Sequence, residues 1–385
     1  MLKSQLPEGW EWKHIWDIAE INYGKGLPKR QRKNEGPVAV YGSNGQVGYH
    51  DSATTKGATI VIGRKGSIGE VHLSPESCWP IDTTYFIDKF PKNVFPKYFF
   101  YFLKSLDLSD LDRSAAIPGI RRDDIYCIEI PLPPLEEQRR IVARIEELLT
   151  RIEQAKSLRQ KSLEGISAIM PSTLHEVFSR ARQQRWKKSQ IQEFADVKGG
   201  KRLPKGSPFA EEKTKYPYIR VIDFKNNAID QSNLCYVSKE IHKRIARYTI
   251  GRDDIYISIA GTIGLAGTIP DELDGSNLTE NAAKLVLKNG SAVDKHYLAY
   301  YLTSPQGQKQ IEERSMAAGQ PKLALMRIKT IEVPLLPINK QRCIVAYLNS
   351  VQQKVNRLKR LQDETSKELE SITQSVLSKA FKGEL

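Results

Sequence analysis

The sequence predicts an α+β fold in which two similar globular domains of mixed β-sheet and short helices are separated by two long helices forming an antiparallel coiled coil. Three observations support this prediction: a helical element that occurs twice, an apolar stripe along each copy, and related segments before each copy. The 385 residues are enough for two ordinary domains. The predicted boundaries are 1–135 for the first domain, 136–180 for the first helix, 181–337 for the second domain and 338–385 for the second helix.

The duplicated element comprises residues 131–178 and 334–381, which align without a gap at an offset of 203 residues. It opens as PLPPLEEQRRIVARIEELL in the first copy and as PLLPINKQRCIVAYLNSVQ in the second. The prolines mark an extended boundary, and Glu136 and Glu137 then favour a helix N-terminus because they complement the helix dipole. A long element that occurs twice indicates that the chain has two similar halves. Two similar halves suggest that the chain recognises its partner at two places.

Apolar residues recur along each copy at alternating intervals of four and three, which is the spacing of a coiled-coil seam. One such stripe alone would be a helix face against a core, whereas two equal stripes favour an antiparallel helix pair. Pro171 is expected to break or kink the first helix near its end. The predicted helix-pairing residues are Ile141, Ile145, Leu148 and Ile152 in the first copy, and Ile344, Leu348, Val351 and Val355 in the second.

The segments that precede the two helices are related more loosely. At an offset of 176, Gly24 aligns with Gly200, and GSIG at 66–69 matches GTIG at 261–264 at an offset of 195. Framework positions match while the stretches between them diverge, so the two domains are expected to present different surfaces. Each domain combines short β-rich runs with helical stretches, at 58–62 and 255–259 for strands and at 95–106 and 295–302 for helices.

The net charge of +14 and the pI near 9.4 indicate a polyanionic partner. Residues 181–337 hold 25 Lys and Arg against 17 Asp and Glu, and the first half has one dense basic cluster between Lys25 and Lys33. A single basic residue is usually solvated surface, but an excess of this size with tight clusters favours nucleic acid as the partner. The predicted DNA-binding residues are Lys25, Lys29, Arg30, Arg64, Lys65, Lys201, Arg202 and Lys205.

Catalytic and cofactor motifs are missing from the sequence. The six histidines have no H-x-x-x-H or H-E-x-x-H spacing, and no G-x-S-x-G elbow occurs. The glycine patches at 63–69 and 199–200 lack the ending of a phosphate loop, so tight turns between strands are favoured. The paired carboxylates at 123–124 and 253–254 are interpreted as turn and capping residues. We therefore expect no metal, no cofactor and no catalytic residue in this chain.

The expected compartment is the cytoplasm. No apolar run approaches the ~18 residues that cross a bilayer, and the segment MLKSQLPEGWEW lacks the apolar core of a signal peptide. The scattered cysteines exclude a zinc ribbon and argue against a disulfide scaffold, so we expect small buried hydrophobic side chains in a reducing environment. The cysteines are Cys78, Cys127, Cys235 and Cys343.

The two copies of the duplicated element resemble the two conserved regions of the specificity (S) subunits of type I restriction–modification systems. The runs SVLSKAFKGEL and GWEWKHIWDIAEINYGKG are also similar to that family. The second copy departs from the pattern at Leu336, in place of a proline, and at 338–340, in place of Leu-Glu-Glu. The resemblance implies two target-recognition domains separated by paired helices. It also implies binding to methyltransferase (M) subunits, two per S chain, and to restriction (R) subunits in an ATP-driven nuclease.

The leading hypothesis is therefore a non-catalytic DNA-recognition subunit whose two globular domains each read one half of an asymmetric, bipartite site. Two alternatives from other classes remain open. One is a self-sufficient DNA-acting enzyme with a dispersed carboxylate metal site, and the other is a coiled-coil scaffold that does not bind DNA.

Overall fold

The protein is seen in a computed structural model that describes residues 6–112, 119–183, 186–315 and 321–385. The chain forms two compact units. Unit 1 combines residues 1–160 with 362–385, and unit 2 comprises residues 161–361. Each long helix therefore contributes one part to unit 1 and another part to unit 2. The predicted α+β class is confirmed, because in chain order each set of sheets and short helices is followed by one long helix.

In chain order, the first half contains the strands β1 (Glu11–His14), β2 (Asn22–Tyr23), β3 (Val38–Gly42), β4 (Gly45–His50), β5 (Thr59–Gly63), β6 (Val71–Ser74), β7 (Trp79–Pro80), β8 (Thr84–Ile87) and β9 (Glu129–Leu132). Its helices are α1 (Ile15–Ile18), α2 (Pro96–Ser105), α3 (Arg122–Tyr126) and the long α4 (Leu135–Gln183). The central sheet has the order β2-β8-β5-β6 with antiparallel neighbours, a second sheet has the order β4-β3-β7, and β1 pairs with β9.

The second half contains the strands β10 (Lys187–Gln190), β11 (Ala195–Gly199), β12 (Pro217–Ile219), β13 (Phe224–Lys225), β14 (Ala228–Ile229), β15 (Cys235–Tyr236), β16 (Thr249–Ile250), β17 (Ile255–Ser258), β18 (Ala266–Thr268), β19 (Ser276–Leu278), β20 (Ala282–Leu287) and β21 (Glu332–Leu335). Its helices are α5 (Ile191–Phe194), α6 (Lys239–Ile245), α7 (Lys295–Thr303), α8 (Pro305–Ser315), α9 (Leu325–Lys329) and the long α10 (Ile338–Ala380).

The sheets of unit 2 repeat the arrangement of unit 1. The central sheet has the order β11-β20-β17-β18, again with antiparallel neighbours, and β10 pairs with β21 as β1 pairs with β9. A further sheet has the order β15-β12-β19-β16, and β13 and β14 form a hairpin. The predicted strands and helices are confirmed as β5, β17, α2 and α7, with ends that differ by one residue from the predicted ranges.

A buried glutamine holds the start of the duplicated helix in place in unit 1. The Gln138 side chain is fully buried at the start of α4. Its Nε2 donates to the carbonyl oxygens of Asn93 and Pro133, each at 2.8 Å, and its Oε1 accepts from the backbone N–H of Phe95 at 2.8 Å. Phe95 is the residue immediately before α2. One side chain thus ties the entry of the long helix to the entry of the short helix.

Gln341 makes the same contacts in unit 2. It is fully buried at the start of α10, and its Nε2 donates to the carbonyl oxygens of Ala292 at 2.8 Å and Leu336 at 2.7 Å. Its Oε1 accepts from the backbone N–H of Asp294 at 2.9 Å, and Asp294 caps α7. The exact register of the two copies therefore follows from one buried hydrogen-bond pattern, because buried polar groups that lose their partners are costly.

Each unit also packs the end of a long helix on aromatic residues of its short helix. In unit 1 the rings of Phe381 and Tyr98 are 5.2 Å apart between centroids. In unit 2 the ring of Phe178 lies 5.5 Å from Tyr297 and 5.2 Å from Tyr301. Burial raises the pKa of both Tyr98 and Tyr297 well above the usual range, so both hydroxyls keep their protons as hydrogen-bond donors.

The long helices run antiparallel within unit 1. Ile141 near the start of α4 lies in one buried cluster with Leu377 and Phe381 near the end of α10. Further along α4, the Nε of Arg159 donates to the carbonyl oxygen of Gln362 at 2.7 Å, at an earlier position on α10. The residue number rises on one helix as it falls on the other, which fixes their opposite directions.

The expected break at Pro171 is wrong, because α4 is one helix from Leu135 to Gln183, and a kink at that position stays a prediction. A proline inside a helix removes one backbone hydrogen bond and crowds the preceding turn. Pro171 is exposed, while Ile166 and Leu174 on either side of it are buried. Burial of these flanking side chains offsets the local cost, so tertiary packing overrides the intrinsic preference of proline. None of the helices within the described ranges is long and apolar enough to span a bilayer.

Candidate nucleic-acid interface

Three segments meet at one end of the central sheet in unit 1, and we call this place the loop edge of unit 1. They are the loop after β2, the turn between β5 and β6, and the segment before β8. The backbone N–H of Gly24 donates to Thr84 at 3.0 Å, and that of Lys25 donates to Pro80 at 2.9 Å. The N–H of Arg64 donates to the carbonyl oxygen of Thr83 at 3.0 Å. Backbone hydrogen bonds therefore bring the three segments together.

The loop edge of unit 2 is built by the same bonds at corresponding positions. The N–H of Gly200 donates to Ala282 at 2.9 Å, and that of Lys201 donates to Leu278 at 2.8 Å. The N–H of Ile259 donates to the carbonyl oxygen of Asn281 at 2.8 Å. Residues 81–83 of unit 1 therefore correspond to residues 279–281 of unit 2, and Arg64 corresponds to Ile259.

Glycines serve this edge in two different ways. In the turns between paired strands, Gly66, Gly69, Gly261 and Gly264 all have positive φ, between 75° and 90°, so the predicted tight turns are confirmed. At Gly200 the prediction of a turn glycine is wrong. A Cβ there would lie 2.0 Å from the carbonyl oxygen of Thr279, so glycine is required for close backbone approach.

The first basic triplet, which consists of Lys25, Lys29 and Arg30, lies exposed in the loop edge of unit 1. The backbone carbonyl of Lys25 accepts a hydrogen bond from the Trp79 indole N–H at 2.9 Å, and the Lys25 ammonium lies 5.8 Å from the same ring. Lys29 and Arg30 belong to a single 3₁₀ turn, Lys29–Gln31. The loop is thus anchored by its backbone while its cations face solvent.

The second basic triplet, which consists of Lys201, Arg202 and Lys205, lies exposed in the loop edge of unit 2. The backbone carbonyl of Lys201 accepts from the Tyr218 hydroxyl at 2.8 Å, and the Lys201 ammonium lies 5.5 Å from the Tyr248 ring. An aromatic donor therefore anchors the loop in both units. Arg202 differs from its neighbours because its Nε is 2.6 Å from a Glu280 carboxylate oxygen.

Arg64 and Lys65 occupy the turn between β5 and β6 in unit 1. The Arg64 guanidinium lies 5.4 Å from the Tyr23 ring, and its Nη2 donates to the Asp82 carbonyl oxygen at 3.2 Å. Arg64 is therefore partly engaged within the protein, whereas Lys65 is exposed. The corresponding positions in unit 2 are Ile259, which is buried, and Ala260. This turn is therefore basic in unit 1 and not in unit 2.

The predicted helix-pairing residues face inward to different degrees. Of the eight, Ile141, Ile145, Ile152, Leu348 and Val355 are buried, whereas Leu148, Ile344 and Val351 are partly buried. Ile141 and Ile145 belong to the core of unit 1, together with residues of the sheets and of α10. They therefore contact other elements as well as the partner helix. The 3.5-residue spacing missed Val142 and Val345, which are also buried, because each helix start is covered on a wider face than a coiled-coil seam.

The paired carboxylates have structural partners. Asp123 and Asp124 lie in the first turn of α3, where negative charge complements the helix dipole. Asp254 accepts from the backbone N–H of Gly251 at 2.9 Å and lies 3.0 Å from the Lys284 ammonium. Within the described ranges, no group of three or more His, Cys, Asp and Glu side chains is placed to hold a metal ion.

The cysteines only partly match the expectation of buried hydrophobic side chains. Cys78 is buried, but Cys127 and Cys343 are exposed and Cys235 is intermediate. All four are free thiols. A small side chain fits a surface position as readily as a core position, and Cys343 in the second long helix lies off the apolar stripe that contains Ile344.

Comparison with known proteins defines the class to which this fold and its loop edges belong. The family described as the type I restriction modification DNA specificity domain matches residues 7–162 and 183–367. The chain therefore belongs to this family. The two matched segments coincide with the two halves that repeat one another in sequence and in hydrogen bonding.

Individual relatives are similar over much of the chain. The specificity subunit of the Escherichia coli type I restriction enzyme EcoBI is 25% identical over 288 residues, which cover 66% of this chain and 58% of that protein. The chain thus spans less than two thirds of the length of this relative. A solved structure concerned with complex assembly and conformational transition of the type I R-M system matches with a TM-score of 0.74 and 22% identity over 100% of both chains. The HsdS subunit from Thermoanaerobacter tengcongensis matches with a TM-score of 0.59 and 22% identity over 99% of both chains. These two likenesses concern the fold.

Proposed function

We propose that this chain is the DNA sequence-specificity subunit of a type I restriction–modification complex, which reads a bipartite, asymmetric DNA site. The observation that supports this proposal most strongly is the pair of loop edges. Both are held by the same backbone hydrogen bonds, yet Arg64 in unit 1 corresponds to Ile259 in unit 2. One scaffold that presents two different surfaces suits a protein that reads two different half-sites.

The cations of the two basic triplets, with the exception of Arg202, are proposed to contact the phosphate backbone of double-stranded DNA. Six exposed cations lie in the two loop edges, where Lys25 corresponds to Lys201 and Lys29 to Lys205, and the chain carries a net charge of +14. Phosphate contacts position a protein on the duplex without reading sequence, so neighbouring side chains on each edge must supply the base contacts. Lys65 is proposed to assist in unit 1.

The long helices are proposed to bind the methyltransferase subunits and to set the gap between the half-sites. The duplicated element gives two equivalent docking surfaces in one chain, which supports two methyltransferase subunits per specificity chain. Restriction subunits would join the full complex. In this proposal residues 1–135 and 181–337 are the target-recognition domains, and residues 136–180 and 338–385 are the spacer helices.

The partner subunits are proposed to supply all the chemistry, and this chain to supply none. A subunit of this kind works in the compartment that holds the DNA, here the cytoplasm. The rival function, a self-sufficient enzyme with a carboxylate metal site, predicts cleavage or modification by the isolated chain. The scaffold alternative predicts no DNA binding at all.

One experiment separates the three functions. The purified chain is incubated with DNA, Mg²⁺ and S-adenosylmethionine, alone and together with the methyltransferase subunits of the same system. The proposal predicts salt-dependent DNA binding, no reaction by the chain alone, and methylation once the partners are added. Activity of the chain alone would contradict it, and so would a reconstituted mixture without DNA binding.

A further inference from the structure

A depression in the loop edge of unit 2 combines apolar and charged side chains that face solvent. Its volume is about 390 Å³. Ile222 lies in the 3₁₀ turn Val221–Asp223 and is 72% exposed, and Phe209 is 40% exposed. Ile222 gains little from the fold at this exposure, because burial of apolar surface is what stabilises a domain, whereas the Phe209 ring lies 5.6 Å from the Tyr218 ring between centroids. The lining residues include Arg202, Phe209, Tyr218, Ile222, Glu280 and Asn281.

The charged part of the depression is an ion pair with both groups facing outward. The Arg202 Nε lies 2.6 Å from Glu280, and the Arg202 side chain is 79% exposed. Burial is the largest single influence and raises the pKa of the Glu280 carboxyl, but the hydrogen bond and charge of Arg202, together with hydrogen bonds from the Glu280 backbone and the Thr279 side chain, hold the net pKa below the usual range. Glu280 therefore remains an ionised acceptor beside a multidentate donor. Such a pair presents donors and acceptors side by side at fixed spacing.

This chemistry matches what a base pair shows in the major groove. Guanine presents two acceptors that suit arginine, the paired cytosine presents an amino donor that suits a carboxylate, and thymine presents a methyl group that suits an apolar side chain. Arg202 and Glu280 together complement both bases of one G·C pair, and Ile222 and Phe209 complement a methyl group beside it. The surrounding edge is basic, because Lys201 and Lys205 flank Arg202.

The corresponding position in unit 1 carries different groups. The shared backbone hydrogen bonds match Gly26 to Arg202 and Asp82 to Glu280. A Cβ on Gly26 would lie 3.9 Å from the Asp82 carboxyl carbon, so the two positions face each other in unit 1 as they do in unit 2. Unit 1 thus retains the carboxylate but has glycine at the position of Arg202, and its Arg64 donates to the Asp82 backbone carbonyl oxygen. The pair is a feature of unit 2 and of one half-site only.

We propose that the depression of unit 2 is a base-reading surface, on which Arg202 and Glu280 bind one G·C pair and Ile222, backed by Phe209, contacts the 5-methyl group of a neighbouring thymine. This inference rests on the proposed function and extends it from DNA in general to the base pairs that one unit reads. It differs from the phosphate role of Lys201 and Lys205, which carries no sequence information.

The test uses the full chain assembled with its methyltransferase subunits and a library of randomised DNA duplexes. Bound sequences are selected for the wild type and for the variants Arg202→Ala, Arg202→Lys, Glu280→Gln and Ile222→Ser. Arg202→Ala is expected to lower the preference for G at one position by about 5- to 150-fold, which corresponds to one bidentate contact. Arg202→Lys keeps the positive charge but removes the paired N–H donors of the guanidinium. It is therefore expected to weaken the preference for G at the same position. Ile222→Ser is expected to relax a neighbouring T, and the other half-site is expected to stay unchanged.

The matched control is Arg252→Ala, which removes an exposed arginine of unit 2 from the loop that precedes β17, at the opposite end of that strand from the loop edge. It is expected to leave the selected sequence unchanged. The inference is overturned if the selected sequence is unchanged in every variant, if both half-sites change, or if Arg252→Ala has the same effect as Arg202→Ala. A wild-type complex that enriches no sequence contradicts the proposed function itself, and the inference falls with it. Because Arg202 and Ile222 are mostly exposed, the variants are expected to fold with unchanged thermal midpoints.

Discussion

Substitution of Gln138 by alanine tests whether the duplicated element is a structural clamp. The change removes three hydrogen bonds of 2.8 Å each. Asn93 is exposed, so its carbonyl can bond to water, but Pro133 is buried and Phe95 partly buried. Two buried backbone groups therefore lose their partner, at about 1–3 kcal/mol each. The expected loss of stability is about 2–6 kcal/mol, a large share of the roughly 5–15 kcal/mol that stabilises a domain.

Hydrogen exchange measured by mass spectrometry is the suitable assay, because a chain with two compact units does not have to unfold in one step. Peptides from the buried strand β5 report on unit 1, and peptides from β17 report on unit 2. The Gln138→Ala variant is expected to exchange at least about 30-fold faster in β5 and to change little in β17, since 2 kcal/mol is about 30-fold. Gln341→Ala is expected to show the reverse pattern.

The control is Gln154→Ala, which removes an exposed glutamine from the same helix. Surface substitutions of this kind usually change stability by less than about 0.5 kcal/mol. The clamp interpretation is refuted if Gln138→Ala behaves like the control. It is also refuted if both glutamine variants loosen both units equally, because each set of contacts lies within one unit.

Three further predictions concern binding and assembly. Replacement of the first basic triplet by alanine is expected to reduce the slope of log K for DNA binding against log salt by about 2.7, at about 0.9 per phosphate contact. A salt titration measures this slope. An unchanged slope would identify these cations as solvated surface. Ile145→Asp or Leu348→Asp buries an unpaired charge, which costs several kcal/mol. Size-exclusion and gel-shift assays are therefore expected to show loss of assembly and of DNA binding. Normal assembly would contradict the assignment of these residues to a packed face. Insertion of four residues, about one helical turn, within residues 179–182 is expected to change the preferred gap between the half-sites in selected DNA. The bases of the half-sites are expected to stay the same. Changed bases with an unchanged gap would contradict the spacer role.

Much of the fold was accessible from the sequence because it depends on repetition. The register of the two copies, the short strands and the short helices all follow from periodicity and from matched positions. The clamp was visible only as an unexplained match, since Gln138 and Gln341 align but nothing in the sequence shows that both are buried. Two of the three partners of each glutamine lie more than forty residues away, and such long-range bonds leave no local signal.

The candidate site was predicted less completely than the fold. Clusters of Lys and Arg point to the two loop edges because charge density is visible in one dimension. No sequence pattern indicates that Arg202 pairs with Glu280, 78 positions away, or that Ile222 lies exposed beside them. Arg64 is predicted from the sequence as a DNA-binding residue, and the contact of its guanidinium with the Tyr23 ring is visible in the structure alone. Partners that meet through sheet topology are fixed by folding and not by spacing.

We propose that one chain carries two different recognition surfaces for two half-sites. This claim is tested most directly by sequencing the methylated positions in DNA from cells that express this chain together with its methyltransferase subunits. The predicted result is a single motif with two different specified blocks, separated by a fixed number of unspecified base pairs, and its absence from cells that lack this chain. A palindromic motif, one continuous block, or the same methylation without the chain would contradict the claim.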